Sequence, residues 1–229
     1  GMNWAFSSNY IISKRTFWVI KYINIFRHLN VDKENFGIAF SGGVDSVVIT
    51  HYMLSKRMRP ELYFFHHGNE DDDIAYQFSK EFANKYGLTL HTNDSPICLK
   101  QSEHILREHR YNWLDSIGKP IITGHNLEDV ISGYLMFMAK GKAKFIPIVR
   151  NNVYRPFLKT SKEYIFEYAN KHNLTWFEDP MNHDDRARNI TNKEVIKAIE
   201  LINPGFKNMV RRQNDIFINN SLEELRAKL

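Results

Sequence analysis

The sequence predicts an α/β fold, a parallel sheet with helices on both faces, followed by a helical C-terminal extension. Three observations predict it. Apolar runs of strand type alternate with stretches of helical period through the first two thirds of the chain. The first run, Phe36 to Phe40 (FGIAF), leads through a glycine turn directly into a helical pattern. After Gly141 the pattern changes to a short apolar piece, Phe145 to Val149, and then to helices with polar connections.

Each element has its own signal. FGIAF is a continuous apolar run, the mark of a buried strand, and the helix after it runs from about Val44 to Lys56. Glu61 to His66 (ELYFFH) reads as the second strand and Asp73 to Tyr86 as the helix that follows. Leu88 to Thr92 is a short strand, Gln101 to Ile117 a helix, Pro120 to Thr123 a strand, and Asn126 to Ala139 a further helix. Thr160 with Glu163 has the form of a capping box, and Tyr164, Ile165, Tyr168 and Ala169 share one face of the helix it opens. Pro180 and the polar run Asn182 to Asp185 read as a loop, Asn192 to Ile202 as a helix, and Pro204-Gly205 as a break before a last helix. The expected division is residues 13–145 for the sheet domain and 146–229 for a helical extension packed on it.

Composition excludes several classes. Hydrophobic residues make up 43% of 229 and charged residues 25%, an ordinary globular balance that needs no disulfides and rules out wholesale disorder. Lys21 and Arg27 break the aromatic-rich start, so no run approaches the roughly 18 apolar residues that span a bilayer. No secretory signal is apparent, and Gly1 ahead of Met2 has the form of a residue left by tag removal. Cys98 is the single cysteine, which excludes an intrachain disulfide and any cysteine-paired zinc or iron–sulfur site. A reducing, cytoplasmic setting is expected. The net charge of +5 favours an anionic partner without identifying one.

The chemistry is carried by Ser41-Gly42-Gly43-Val44-Asp45-Ser46 (SGGVDS), placed between the first strand and its helix. Adjacent glycines let the backbone turn sharply and approach an anion, while helix-start N–H groups and two serine hydroxyls can donate to phosphate oxygens. It is neither a Walker A loop nor a dinucleotide loop, since the lysine of the one and the G-x-G-x-x-G of the other are missing. The plainer reading is a tight turn with a capping serine.

With these residues the chain resembles the PP-loop ATP pyrophosphatases, whose SGGxDS loop grips the β and γ phosphates. The resemblance implies the Rossmann-like, adenine nucleotide alpha hydrolase-like PP-loop fold and cleavage of ATP between its α and β phosphates. Further motifs narrow it: His67-Gly68; Arg107 with Arg110-Tyr111; Gly124-His125 with Asp129 in GHNLED; Arg155-Pro156; Trp176 with Glu178-Asp179-Pro180 and Asn182; Arg188-Asn189; and Asn203-Pro204-Gly205-Phe206. In order and spacing these are similar to the catalytic domain of tRNA(Ile)-lysidine synthetases, from about residue 36 to 206. That family activates the carbon-2 carbonyl of the wobble cytidine in an isoleucine tRNA with a CAU anticodon as an adenylate, which the ε-amine of free lysine then displaces.

The resemblance implies ATP and Mg²⁺, tRNA and free lysine as reactants, and no membrane. Mg²⁺ takes one or two carboxylates plus phosphates and water, and Asp45 and Asp129 are the candidates. For Asp129 the alternative is an acid that stabilises a helix start. His125 fits contact with ATP or the developing adenylate, and equally a structural role. Arg107 and Arg110 lie three apart and share a helix face suited to phosphate or nucleic acid, or simply to solvent. Free lysine has a pKa of about 10.4, so attack needs a carboxylate to bind or accept its proton. Glu178 and Asp179 are the substrate-side candidates, or simply acids that form the turn at Pro180, with Tyr111, Arg188 and Asn189 added by motif; Lys140 and Lys142 fit contact with RNA phosphate, and equally a solvated lysine pair.

The chain departs from the family in having Ser132 where a glutamate is usual and Asn192 for the last arginine of RNxxR. The sequence stops at Leu229, whereas longer relatives carry C-terminal domains that hold the tRNA, so specificity for one tRNA is expected to come from this domain, an oligomer or another protein, or to be absent. Three alternatives remain: a PP-loop ligase joining an amine to another adenylated nucleobase or small-molecule carbonyl, a sulfur transferase, for which one cysteine is few, and a non-catalytic nucleotide-binding module.

Overall fold

A computed structural model describes residues 35–68, 70–93, 103–178 and 191–227. In chain order the elements are β1 (Gly37–Ala39), α1 (Val44–Ser55), β2 (Glu61–Phe64), α2 (Glu70–Tyr86), β3 (Leu90–Thr92), α3 (Glu103–Ser116), β4 (Ile121–Ile122), α4 (Leu127–Ala139), β5 (Val149–Arg150), β6 (Val153–Tyr154), α5 (Lys162–Lys171), a π-helical turn (Thr191–Val195), α6 (Ile196–Ile202) and α7 (Phe206–Ala227). The six strands order as β3-β2-β1-β4-β6-β5. All neighbours pair in parallel except β5 with β6. The direction of winding reverses between β1 and β4, which is where an open α/β sheet leaves a crevice for ligands.

Period-two alternation sorts the side chains onto two faces. Leu62 and Ile122 join Ile38, Val47, Met53 and Phe82 in one core, into which α5 sends Ile165 and Ala169. Their neighbours Tyr63 and Ile121 point the other way and pack with Tyr111 and Leu114 of α3 and with Val153. A third cluster lies under the C-terminal helices, where Val130, Ile131 and Leu135 of α4 meet Ile196, Phe206, Val210 and Ile218. Burial of this apolar surface, at about 25 cal/mol per Å², is the main force holding the layers together.

At the amino-terminal end of β2, away from the crevice, the Glu61 carboxylate receives Lys119 Nζ at 2.9 Å and the Tyr63 hydroxyl at 2.8 Å, with His91 Nε2 also at 2.8 Å. The Lys119 bond outweighs the cost of burial, and with Tyr63 and His91 it holds the Glu61 carboxyl down at about 2.

The structure departs from the sequence reading in three places. The sheet continues past residue 145: Val149–Tyr154 forms a two-residue-strand hairpin whose second strand lies parallel to β4. Strands this short leave no periodicity to read, and the turn is made by Asn151 at φ 53° with Asn152 Nδ2 donating to Leu114 O and Lys119 O. Thr160 and Glu163 do not form a capping box. Ser161 is the N-cap of α5 without a side-chain bond, and the helix start is satisfied from outside, Lys162 N donating to Glu128 Oε2 at 2.8 Å. The expected helix from Asn192 begins instead with the π-helical turn.

Candidate active site

Three adjacent parallel strands, β1, β4 and β6, each deliver a helix, and the first turns of α1, α4 and α5 are tied to one another at the carboxyl edge of the sheet. Each helix start carries roughly half a positive charge from its aligned peptide dipoles. Leu127 N donates to Thr160 O at 2.9 Å, Glu128 caps α5, and Asp45 in the first turn of α1 bonds to both other helix starts. Its Oδ1 accepts from Asn126 Nδ2 at 3.0 Å and its Oδ2 from Lys162 Nζ at 2.5 Å.

The turn before α1 shows why its glycines are there. Gly42 sits at φ +77°, and a β-carbon on it would lie 3.0 Å from the Phe78 ring. Its carbonyl accepts Phe177 N at 2.9 Å, which lays the segment after α5 along the turn. Gly43 is the extended N-cap of α1, and no side chain caps the helix. Ser46 is buried; its hydroxyl donates to Gly43 O at 2.9 Å and accepts Ser41 N at 3.3 Å. That hydroxyl therefore braces the turn from inside. The Ser41 side chain lies on the outer side, accepting Gly43 N at 3.4 Å.

Gly124 lies against α1: a β-carbon there would be 2.9 Å from Asp45 Cβ and 3.1 Å from its carbonyl carbon. This close approach sets Asn126, buried at the N-cap of α4, where it can reach Asp45. Asn126 Oδ1 accepts the N–H of Glu128 and of Asp129, and Asp129 Oδ2 accepts Asn126 N at 2.9 Å. The capping box thus stands at Asn126–Asp129, so one asparagine links both candidate carboxylates and Asp129 does make the helix-start contact. His125 Nδ1 lies 2.8 Å from Thr123 Oγ1. Burial pushes the Glu128 carboxyl up, against the lowering effect of the backbone N–H of Lys162. Ser132, at the position of the family's glutamate, is buried and donates to Glu128 O inside α4.

Arg107 and Arg110 do share a face of α3, and that face is not merely solvated. Tyr111 is buried, and its hydroxyl receives Arg155 Nη2 at 3.2 Å and Arg107 Nη2 at 3.4 Å. Burial alone would raise the phenol pKa; the charges of Arg155, Arg107 and Arg110 outweigh it, and the pKa falls below its usual value. Glu178 is exposed, one residue beyond the Phe177 bond to the turn. Asp179, Arg188, Asn189 and Cys98 lie outside the described residues, as does the loop expected at 180–185. Lys140 and Lys142 are exposed at and beyond the end of α4.

Asn126, Glu128 and Lys162 were not singled out from the sequence. Asn126 stands inside GHNLED and could have been read as a capping residue three before an acid. Lys162 carries no local signal, since its partner Asp45 is 117 residues away.

A PP-loop domain model matches residues 18–199, and the chain belongs to the PP-loop family, a family of ATP-using ligases and pyrophosphatases. The curated relatives are more specific in name. The tRNA(Ile)-lysidine synthase of Actinobacillus pleuropneumoniae serotype 3 is 30% identical over 207 residues, 82% of this chain and 48% of that protein. That of Bdellovibrio bacteriovorus is 30% identical over 179 residues, 71% and 56%. The chain spans about half the length of the curated relatives it matches. Among solved structures, a U34-tRNA thiolase from Methanococcus maripaludis superposes with a TM-score of 0.70 at 17% identity, over 95% of this chain and 79% of that one, and shares the fold. No described helix is long and apolar enough to cross a membrane.

Proposed function

We propose that the protein is an ATP-dependent tRNA-modifying ligase that adenylates the wobble cytidine of an isoleucine tRNA and joins lysine to it. The observation that carries this reading is the union of three helix starts around Asp45 at the SGGVDS turn, in a chain whose curated relatives are named tRNA(Ile)-lysidine synthases.

The chemistry asks for positioning and charge neutralisation more than for bond-making groups. The cytidine carbonyl oxygen attacks the α-phosphorus of ATP, forming a P–O bond as pyrophosphate leaves. The lysine amine then attacks carbon-2, forming a C–N bond as AMP leaves with the oxygen, and the amine gives up its proton. Among the described residues no side chain caps the start of α1, which leaves its backbone N–H groups to an anion. Lys162 adds an ammonium beside Asp45. Gly42 and Gly43 keep the turn free of β-carbons. His125, oriented by Thr123, and Glu178, next to Phe177, are the groups we assign to the adenylate and to the incoming amine.

The donor set also suits a divalent ion. Asp45 is a single carboxylate, its side chain 30% exposed, beside a phosphate turn, and Mg²⁺ favours one or two carboxylates completed by phosphates and water. Mg²⁺ held there would neutralise triphosphate charge. Asp129, linked to Asp45 through Asn126, is the second carboxylate that would hold it.

The test is to incubate the protein with ATP, Mg²⁺, lysine and unmodified tRNA, digest the RNA and search for lysine-bearing cytidine by mass spectrometry. We expect the product, and expect it to vanish in Asp45→Ala. Pyrophosphate and AMP release without the product would reassign the acceptor or the amine to the other ligase reading; release of neither would leave a nucleotide-binding module.

A further inference from the structure

Tyr111 stands at the centre of a group of guanidiniums drawn from two separate parts of the fold. The guanidinium carbons of Arg107 and Arg150 each lie 4.9 Å from its ring centroid, that of Arg155 5.8 Å and that of Arg110 5.9 Å. Arg107 and Arg110 belong to α3; Arg150 ends β5 and Arg155 follows β6. None of the ion pairs among residues whose side chains are described involves Arg107, Arg150 or Arg155. Arg155 is 2% exposed, donates through Nη1 to Pro147 O at 2.9 Å and through Nη2 to Tyr111, and its Nε has no hydrogen-bond partner among the described residues.

Such a group is costly in isolation. A buried arginine is ordinarily paired, because removing its charge from water is offset only by an opposite charge or full hydrogen bonding. Like charges gathered around one buried hydroxyl raise the potential further, and the lowered phenol of Tyr111 registers it. An anion settling on the group would relieve both costs. The planar guanidinium fork matches phosphate oxygens two at a time. Arg107 and Arg150 are exposed, so the group opens to solvent, while Arg155 and Tyr111 close its base.

Two phosphates are available, those of ATP and those of an RNA strand. The turn at Gly42–Gly43 belongs to α1, which packs with Leu62 and Ile122, whereas Tyr111 belongs to the opposite face of the sheet with Tyr63 and Ile121. We infer that Arg107, Arg110, Arg150 and Arg155, organised around Tyr111, form a seat for a backbone phosphodiester of the RNA acceptor. This rests on the reading that RNA is the acceptor, and adds to it the hairpin arginine and the buried Arg155.

The experiment measures binding of unmodified tRNA at several salt concentrations to the wild type, Arg150→Ala and Arg150→Lys, with ATP affinity measured beside it. Arg150 is exposed, so both variants should fold, and Arg107→Ala provides a second site on the other element. Arg150→Ala should weaken tRNA binding about three- to tenfold at low salt and flatten the salt slope by about 0.7–0.9, the share of one phosphate contact. Arg150→Lys should keep the slope and lose part of the affinity, and ATP affinity should not move. Unchanged tRNA affinity and slope in both alanine variants would overturn the seat while leaving the RNA reading intact. Loss of ATP affinity in place of tRNA affinity would assign the group to the nucleotide and overturn the inference. A wild type that does not bind tRNA would overturn the RNA reading and the seat together.

Discussion

Gly124→Ala is the sharpest test of how the fold builds the site. The added β-carbon would lie 2.9 Å from Asp45 Cβ, 3.1 Å from its carbonyl carbon and 3.3 Å from its carbonyl oxygen. Carbon atoms settle at about 3.5–4.0 Å, so something must give by about 0.5–1 Å. Two of the three obstructing atoms are backbone in the first turn of α1, which is buried on nearly every side, so the loop from Gly124 to Asn126 has to retreat. That draws Asn126 away from Asp45. Overpacking of this kind costs about 1–3 kcal/mol, equivalent to a fall in Tm of roughly 2–12 °C for a chain of this size. The larger effect is on turnover, because a displacement of about 1 Å at a reacting centre can cost on the order of 100-fold. Thermal melting and ATP-dependent pyrophosphate release, measured on the same preparation, separate the two. A variant with wild-type kcat would show that the contact between Gly124 and Asp45 does not govern the site, whatever happened to its Tm.

Other perturbations are more direct. Asp45→Ala should end pyrophosphate release while the protein still melts cooperatively; retained turnover would remove Asp45 from the handling of phosphate charge. Glu61 has its carboxyl lowered from about 4.5 to about 2, so the stability it contributes is complete above about pH 4.5 and is lost as pH falls towards 2. Unscreened, that shift is on the order of 3 kcal/mol, but its side chain is 34% exposed, and about 1 kcal/mol should survive solvent screening. Glu61→Gln should therefore melt lower than wild type at pH 7, with the gap closing in acid; a gap that persists at pH 2 would refute the assignment. For Tyr111, ultraviolet titration of wild type against Tyr111→Phe should reveal one phenol ionising below the usual value of about 10. A difference spectrum at or above that value would contradict the surrounding guanidinium field.

The alternation of strands and helices was legible because core runs such as FGIAF and LYFF carry no charged residue, and because the glycine pair Gly42-Gly43 directly after such a run marks a strand-to-helix turn. The β5–β6 hairpin was not legible, since two-residue strands carry no period and Pro147 just ahead of them argues for a loop. Thr160 and Glu163 illustrate a different failure. The local pattern for a capping box is present, yet Glu128 reaches across from α4 and satisfies the start of α5 in its place. Tertiary partners overrode a local preference worth about 1 kcal/mol. Within the site, Asp45 and the glycines could be named from their spacing. Lys162 could not, because its relation to Asp45 exists only after β6 has been laid beside β4.

The burial of α1 also bears on timing and on the entropy of binding. Val44, Ser46, Val47, Val48, Ile49 and Thr50 are buried in unbroken sequence apart from Asp45, starting immediately after the Gly43 cap. A helix end in that position does not fray as a surface helix end does; its amides beyond the first turn should exchange with solvent only when the whole core opens. The turn that presents its N–H groups is then in its working shape before any nucleotide arrives. An anion arriving there loses its own freedom of movement without having to order the protein as well.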